Sequence, residues 1–221
     1  MTTNDFLPEP LPPDPMPIFR AWLDEAIERA DQPNPNSMAV ATVDAEGRPS
    51  VRIVLVKELV PSPGYLVFYT NYRSRKGREL EARPYASGVL HWDHRHRQVR
   101  VSGPVLRSPD EESDEYFATR PLASRIGAWA SQQSEPLASR ATLADQVNAV
   151  RERFAIGPQA PDAQIPRPPH WGGFRLWIDR LELWVEGPGR VHDRAVWTRD
   201  LTRYDAASFD AGAWSATRLN P

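Results

Sequence analysis

The stretch VRIVLVKELVPSPGYLVFYTNYRSRKGREL, residues 51–80, decides the fold. Its first nine residues are rich in β-branched side chains, which fit a pleated strand. PSPG at 61–64 is a turn signal. YLVFYT at 65–70 is continuously apolar, as a strand buried on both faces would be. Then four cations fall within six positions: Arg73, Arg75, Lys76 and Arg78. They lie at the start of a helical pattern over 76–82, although a helix dipole favours negative charge at its N-terminus. Ser74 can cap this helix. Exposed amides beside Arg75 and Lys76 then make a phosphate cradle. On this stretch alone, a solvated surface turn is the simpler reading.

Working outward, strand signals dominate. SMAVATVD precedes the stretch and ends in the turn AEGRP. ASGVLHW and QVRVSGPVLR follow it as a further pair, and FRLWIDRLELWVEG, RVHDRAVWTRD and WSATRL read as terminal strands. Helices are predicted from Asp14 and Pro15 through Ile27, over 110–119 and over 139–154, where Leu143, Val147, Val150 and Phe154 form one stripe. Strands in hairpin-like succession with few helices between them favour an antiparallel sheet or barrel over a doubly wound sheet. Residues 1–13 read as a mobile proline-rich arm, and 156–169 as a long proline-rich loop.

Composition narrows the function classes. The chain has 221 residues, no cysteine and a net charge of −2. Disulfides, thiolate metal sites and cysteine nucleophiles are excluded. A near-neutral chain does not suggest a nucleic-acid coat or a polybasic membrane anchor. No apolar run approaches a membrane span, and the N-terminus lacks the pattern of a signal peptide, so the expected location is cytoplasmic. There is no G-x-G-x-x-G, P-loop, H-E-x-x-H or G-x-S-x-G. His91, His94 and His96 lie close together without a carboxylate at ligand spacing, so no metal is expected.

Three local patterns are candidates for chemistry, although each alone also reads as ordinary structure: the polar ends of a strand, a helix-helix junction and an exposed polar face. Arg52 and Lys57 flank IVLV and point to opposite faces of a regular strand, so they suit two different anions, or a single one only if the strand is bulged. Tyr116 and Arg120 share a helical face, and Ser124 falls in the first turn of a helix started by Pro121. Arg190, His192 and Arg194 share a face if GRVHDRAVW is a strand, and such a cationic face needs an anion or an aromatic system.

Together, RIVLVK, FYTNYRSRKGREL, RQVRVSG, YFATRPLASRIGAWASQQS, WGGFR, LELW, RVHDR and RLNP resemble the pyridoxamine 5′-phosphate oxidases of the FMN-binding split-barrel superfamily. The resemblance runs from about residue 14 to the C-terminus. It implies one domain over 14–221, mainly β with peripheral helices (α+β): an FMN-binding split antiparallel β-barrel, homodimeric, with FMN at the interface. The implied FMN contacts are Arg52, Ile53, Val54, Leu55, Val56, Lys57, Tyr69, Thr70, Ser74, Arg75, Lys76, Gln98, Gln133, Ser134, Trp184 and Arg194. Lys57, Tyr116, Arg120 and Ser124 would grip the substrate phosphate, and Arg190 and His192 would cover the substrate ring as the catalytic pair.

The implied reaction oxidises pyridoxamine or pyridoxine 5′-phosphate to the aldehyde, with dioxygen as acceptor and hydrogen peroxide as product. A phenazine-type oxidase on the same scaffold and a non-catalytic FMN- or pyridoxal-phosphate-binding protein are the alternatives. The sequence departs from the family in its arm, which has no Arg or Lys before Arg20, and in longer segments at 156–169 and 200–213.

Overall fold

A hairpin needs its two strands to keep one register, and the opening stretch departs from that. The computed structural model describes residues 6–157 and 163–221. In it VRIVLVKEL is two strands, not one. β1 (Ser37–Val43) pairs antiparallel with β2 (Pro49–Leu55), while β3 (Glu58–Val60) pairs with β4 (Tyr65–Asn71). At the break the chain changes partner: the Val56 N–H donates to Asn36 O and the Lys57 N–H to Val67 O. Arg52 and Lys57 therefore lie on different strands.

The remaining strands are antiparallel too. β5 (Tyr85–Trp92) pairs with β1 and with β6 (Arg97–Arg107). The first part of β6 pairs with β8 (Arg180–Val185), and its last residues pair with β7 (Trp171–Trp177), which pairs with β4. β9 (Asp193–Thr198) and β12 (Ser215–Leu219) extend the sheet beyond β8, and β2 ends it on the other side. β10 (Leu201–Arg203) and β11 (Phe209–Ala211) form a separate hairpin. The double duty of β6 curls the sheet into a split barrel. At Gly103 of β6 the Trp177 carbonyl occupies the place of any Cβ, so only glycine allows this crossing.

Five helices lie among the described residues. α1 (Met16–Arg29) buries Phe19 and Leu23 against the barrel core of Met38, Val40, Phe68, Leu90, Val101 and Leu183. α2 (Arg75–Ala82) is capped by Ser74, whose Oγ accepts the Gly77 N–H at 3.3 Å. α3 (Asp110–Thr119), α4 (Leu122–Ala130) and α5 (Arg140–Arg153) enclose a smaller core of Phe117, Ile126, Val150, Ile165 and Trp171.

Residues 6–13, expected to be mobile, are seated on the barrel. Leu7 is buried, its N–H donates to Asp193 Oδ2 at 2.7 Å, and Arg218 donates to Pro8 O at 2.9 Å. Trp197 Nε1 donates to Pro12 O at 2.9 Å. Proline lowers the entropy of the free segment, so few contacts suffice to hold it. Residues 1–5 of the expected arm, and 158–162 of the expected loop, lie outside the described residues.

Candidate functional site

Pro121 cannot continue α3 and keeps Arg120 out of helical geometry, with φ −73° and ψ 146°. The resulting corner between α3 and α4 opens a cleft of about 610 Å³ at the junction of the two cores. Lys57, Tyr69, Thr70, Tyr116, Arg120, Ser124 and Gln133 line it. Tyr69 and Tyr116 stack with centroids 4.0 Å apart, and Trp171 continues the stack 5.5 Å from Tyr69. The Arg120 guanidinium lies 4.4 Å from the centre of the Trp171 ring. Its Nη1 is buried with no hydrogen-bond partner among the described residues. Burial pulls the Arg120 pKa down, partly offset by Tyr116. A buried donor without an acceptor costs free energy, and an anion in this cleft would remove that cost.

A second cleft of about 580 Å³ adjoins the first. Arg52, Ile53, Val54, Leu55, Tyr69, Thr70, Arg75, Lys76, Gln133 and Ser134 line it. Leu55, Tyr69, Thr70 and Gln133 also line the first, so the two clefts share a wall. Lys76 is only 8% exposed; its Nζ donates to Thr70 Oγ1 (3.0 Å), Gln133 Oε1 (3.1 Å) and Ser74 Oγ (3.2 Å). Burial, and then the nearby Arg52 charge, pull its pKa down to about 8, while Glu79 opposes the shift. Cations crowded and desolvated in this way are stabilised by an incoming anion. These residues fit a phosphate-bearing cofactor.

Two expected residues sit behind these surfaces. Val56 is in the barrel core and Ser74 is the fully buried cap of α2. Another five expected residues line neither cleft. Gln98, Trp184 and Arg194 are register neighbours across β6, β8 and β9. The Trp184 and His192 rings lie 4.6 Å apart. Arg194 is held by the buried Glu182, its Nη2 at 2.8 Å from Oε1. The expected strand face of Arg190, His192 and Arg194 is not formed. Pro188–Arg190 is a 3-10 turn with Gly189 and Arg190 at φ 64° and 65°, and β9 starts only at Asp193. Pro188 and Gly189 break the two-residue period.

Sequence reasoning missed two contributors. Trp171 forms the face under Arg120, and its motif WGGFR carries no sign of that role in the sequence. Glu79 accepts from Arg75 Nε at 2.8 Å, and the i,i+4 spacing of the pair was a visible signal. Among the described residues no group of three or more His, Asp or Glu could hold a metal ion. No helix there is long and apolar enough to cross a membrane.

Comparison with known proteins agrees with this geometry. The family described as pyridoxamine 5′-phosphate oxidase matches residues 23–154, and the pyridoxine 5′-phosphate oxidase C-terminal dimerisation region matches 171–221. A pyridoxine/pyridoxamine 5′-phosphate oxidase of Burkholderia multivorans is 51% identical over 209 residues, covering 95% of this chain and 90% of that protein. Its namesake in Burkholderia orbicola is 49% identical over the same shares. The crystal structure of PhzG from Burkholderia lata 383, in complex with tetrahydrophenazine-1-carboxylic acid, superposes with TM-score 0.82 at 26% identity, covering 100% of this chain and 98% of that one. A pyridoxamine 5′-phosphate oxidase-related, FMN binding protein from Nostoc punctiforme shares the fold at TM-score 0.66 and 17% identity, covering 92% and 97%. Two matched regions, half-identical relatives and a split barrel with paired cationic clefts lead to one conclusion: the chain belongs to the pyridoxamine 5′-phosphate oxidase family.

Proposed function

We propose that this protein is an FMN-dependent oxidase that converts pyridoxamine or pyridoxine 5′-phosphate to pyridoxal 5′-phosphate, reducing dioxygen to hydrogen peroxide. One observation carries the reading: two cation-lined clefts share a wall, and the first holds a buried guanidinium N–H without an acceptor. The first cleft takes the substrate phosphate through Lys57, Tyr116, Arg120 and Ser124. The second takes the FMN phosphate through Arg52, Arg75 and Lys76, with Gln133 and Ser134 as polar neighbours. Bound FMN would supply the redox chemistry, as acceptor of a hydride from the substrate 4′ carbon and donor of two electrons to dioxygen, with water displacing the pyridoxamine nitrogen as ammonia. Holding both phosphates fixes the relative position of the two ring systems, a proximity effect.

Arg190 and His192 complete the site from a second copy of this chain, together with Gln98, Trp184 and Arg194. This assignment is supported by their position away from both clefts and by the match of 171–221 to a dimerisation region. The outward Val51 and Ile53 of β2, 67% and 64% exposed, and Val191, 69% exposed, are the apolar surface such a copy would cover. The likeness to PhzG favours a second reading, a related oxidase acting on a carboxylated polycycle. The four donors of the first cleft suit a phosphate better.

The deciding assay supplies both B6 phosphates to the FMN-loaded protein and follows aldehyde and peroxide. Turnover supports the reading, and no turnover with either substrate ends it. The composite site has its own test. Arg120→Ala and His192→Ala chains, assayed at a substrate concentration too low for either to turn over appreciably alone, are unfolded together and refolded as a mixture. Half the dimers are then mixed and half of their sites intact, so about a quarter of wild-type activity returns. No recovery would put the whole site in one chain.

A further inference from the structure

Glu79 lies behind the second cleft and outside its lining. It is 4% exposed. One carboxylate oxygen, Oε1, takes Arg75 Nε at 2.8 Å. The other, Oε2, takes Arg52 Nη2 at 3.2 Å, the Ser50 hydroxyl at 2.7 Å, and the Thr42 hydroxyl. Both hydroxyls do double work: each accepts from an Arg52 terminal nitrogen and donates its one proton to Glu79. The Arg52 head is thus fixed from β1, β2 and α2 at once. Burial would raise the Glu79 pKa, but hydrogen bonds from Thr42, Ser50, Arg75 and Arg52 hold it down at about 2. It is charged at every pH where the protein would work.

We propose that Glu79 is a positioning residue for the cofactor phosphate, holding Arg52 and Arg75 in their receiving arrangement and countering the charge of the cationic cleft. The proposal rests on the second cleft being the FMN phosphate seat. A carboxylate behind an anion site has a cost, since it repels the ligand it serves. Two things offset this. Fixing two arginines beforehand removes ordering entropy from the binding step. Glu79 also helps keep Lys76 protonated. The charged groups around Lys76 are Arg52 on β2 and Arg75 and Glu79 on α2, while Thr70, Ser74 and Gln133 are neutral partners. Without the carboxylate, the Lys76 pKa falls below its present value of about 8. Above that lowered pKa, the proton lost from Lys76 cancels the positive charge gained by removing Glu79. In that pH range the variant cleft is no more cationic, and at every pH its arginines have lost their shared anchor.

The test uses the full chain freed of flavin, titrated with FMN and, in parallel, with riboflavin, which lacks the phosphate. Glu79→Gln keeps the size and removes the charge. It should weaken FMN binding about tenfold, since charge-assisted contacts are lost, and leave riboflavin binding within about twofold. Its loss of FMN affinity at alkaline pH should begin at lower pH than in the wild type. Glu79→Asp should restore part of the affinity and move the alkaline limb back toward its wild-type position. Equal losses for FMN and riboflavin, or an alkaline limb that does not move, would overturn the proposal and leave Glu79 a structural acid. Unchanged FMN affinity would overturn it as well. If Glu79→Gln does not fold, the same comparison is made with Glu79→Asp alone. If the wild type binds no FMN, the reading of the cleft fails. Inorganic phosphate then replaces FMN in the same variants, and phosphate affinity that is indifferent to Glu79 overturns the proposal independently.

Discussion

Arg120 in the first cleft and Arg52 in the second are both guanidiniums on the walls of cavities of similar size. Their backing differs. Arg52 has a carboxylate and two hydroxyls behind it, while Arg120 has the face of Trp171 and a bare Nη1. A cation with its own acid is preorganised and gains less from each ligand. A cation left without one is costly in the empty protein and gains more when an anion arrives. The first cleft therefore has more binding energy concentrated in a single side chain. The second spreads it over Arg52, Arg75 and Lys76.

The largest effect should come from breaking the concentrated side. Arg120→Ala removes a charge-assisted contact worth about 2–3 kcal/mol, so KM for pyridoxamine 5′-phosphate should rise roughly 30- to 150-fold. FMN affinity, measured by flavin fluorescence, should stay nearly constant. A matching fall in FMN affinity would mean that the two clefts are not separate anion sites.

A smaller effect is expected from the distributed side. Lys76→Met should weaken FMN binding about tenfold, because two cations remain. The same residue gives a pH signature. Its folded pKa is about 8 against an ordinary 10.5, so between those values the unfolded chain binds more protons than the native one. Stability contributed by this group therefore rises with pH across that window, while affinity for the phosphate falls. Melting of the flavin-free protein at pH 7.5 and pH 10 should show a wild-type gain that Lys76→Met lacks. If the two proteins change by the same amount, the charge of Lys76 is not the source.

The smallest effect should come from Tyr116→Phe. The ring keeps its stack on Tyr69, and only the hydroxyl is lost. A cost of about 1 kcal/mol corresponds to roughly fivefold in KM. A loss as large as that of Arg120→Ala would move the weight of the first cleft from the guanidinium to the phenol.

Most strand positions are readable because each strand carries its own local pattern, and YLVFYT between PSPG and NYRS needs no distant partner to be recognised. The change of sheet at Val56 and Lys57 was not readable, because it depends on Asn36 and Val67. The same limit hid Glu79, whose hydroxyl partners Thr42 and Ser50 come from β1 and β2. The seat of residues 6–13 rests on Asp193 and Arg218, about two hundred positions away. The turn at 188–190 is different. Pro188 and Gly189 announce it, and the i,i+2,i+4 pattern of cations that follows them obscures these two breakers. The proposed clamps rest on several short motifs taken together, since the spacing of Lys57 and Arg120 says nothing of a shared cleft.

β2 is the last strand of its sheet, with Val51 and Ile53 turned outward on the rim of the second cleft. For a newly made chain this is an exposure problem. A strand edge with free backbone groups and bare β-branched side chains is a template for any other extended chain. Until a partner covers it, correct assembly competes with clumping. Yield should therefore depend on how fast two folded copies meet, and the strand that frames the proposed flavin seat is also where a lone copy is most prone to aggregate.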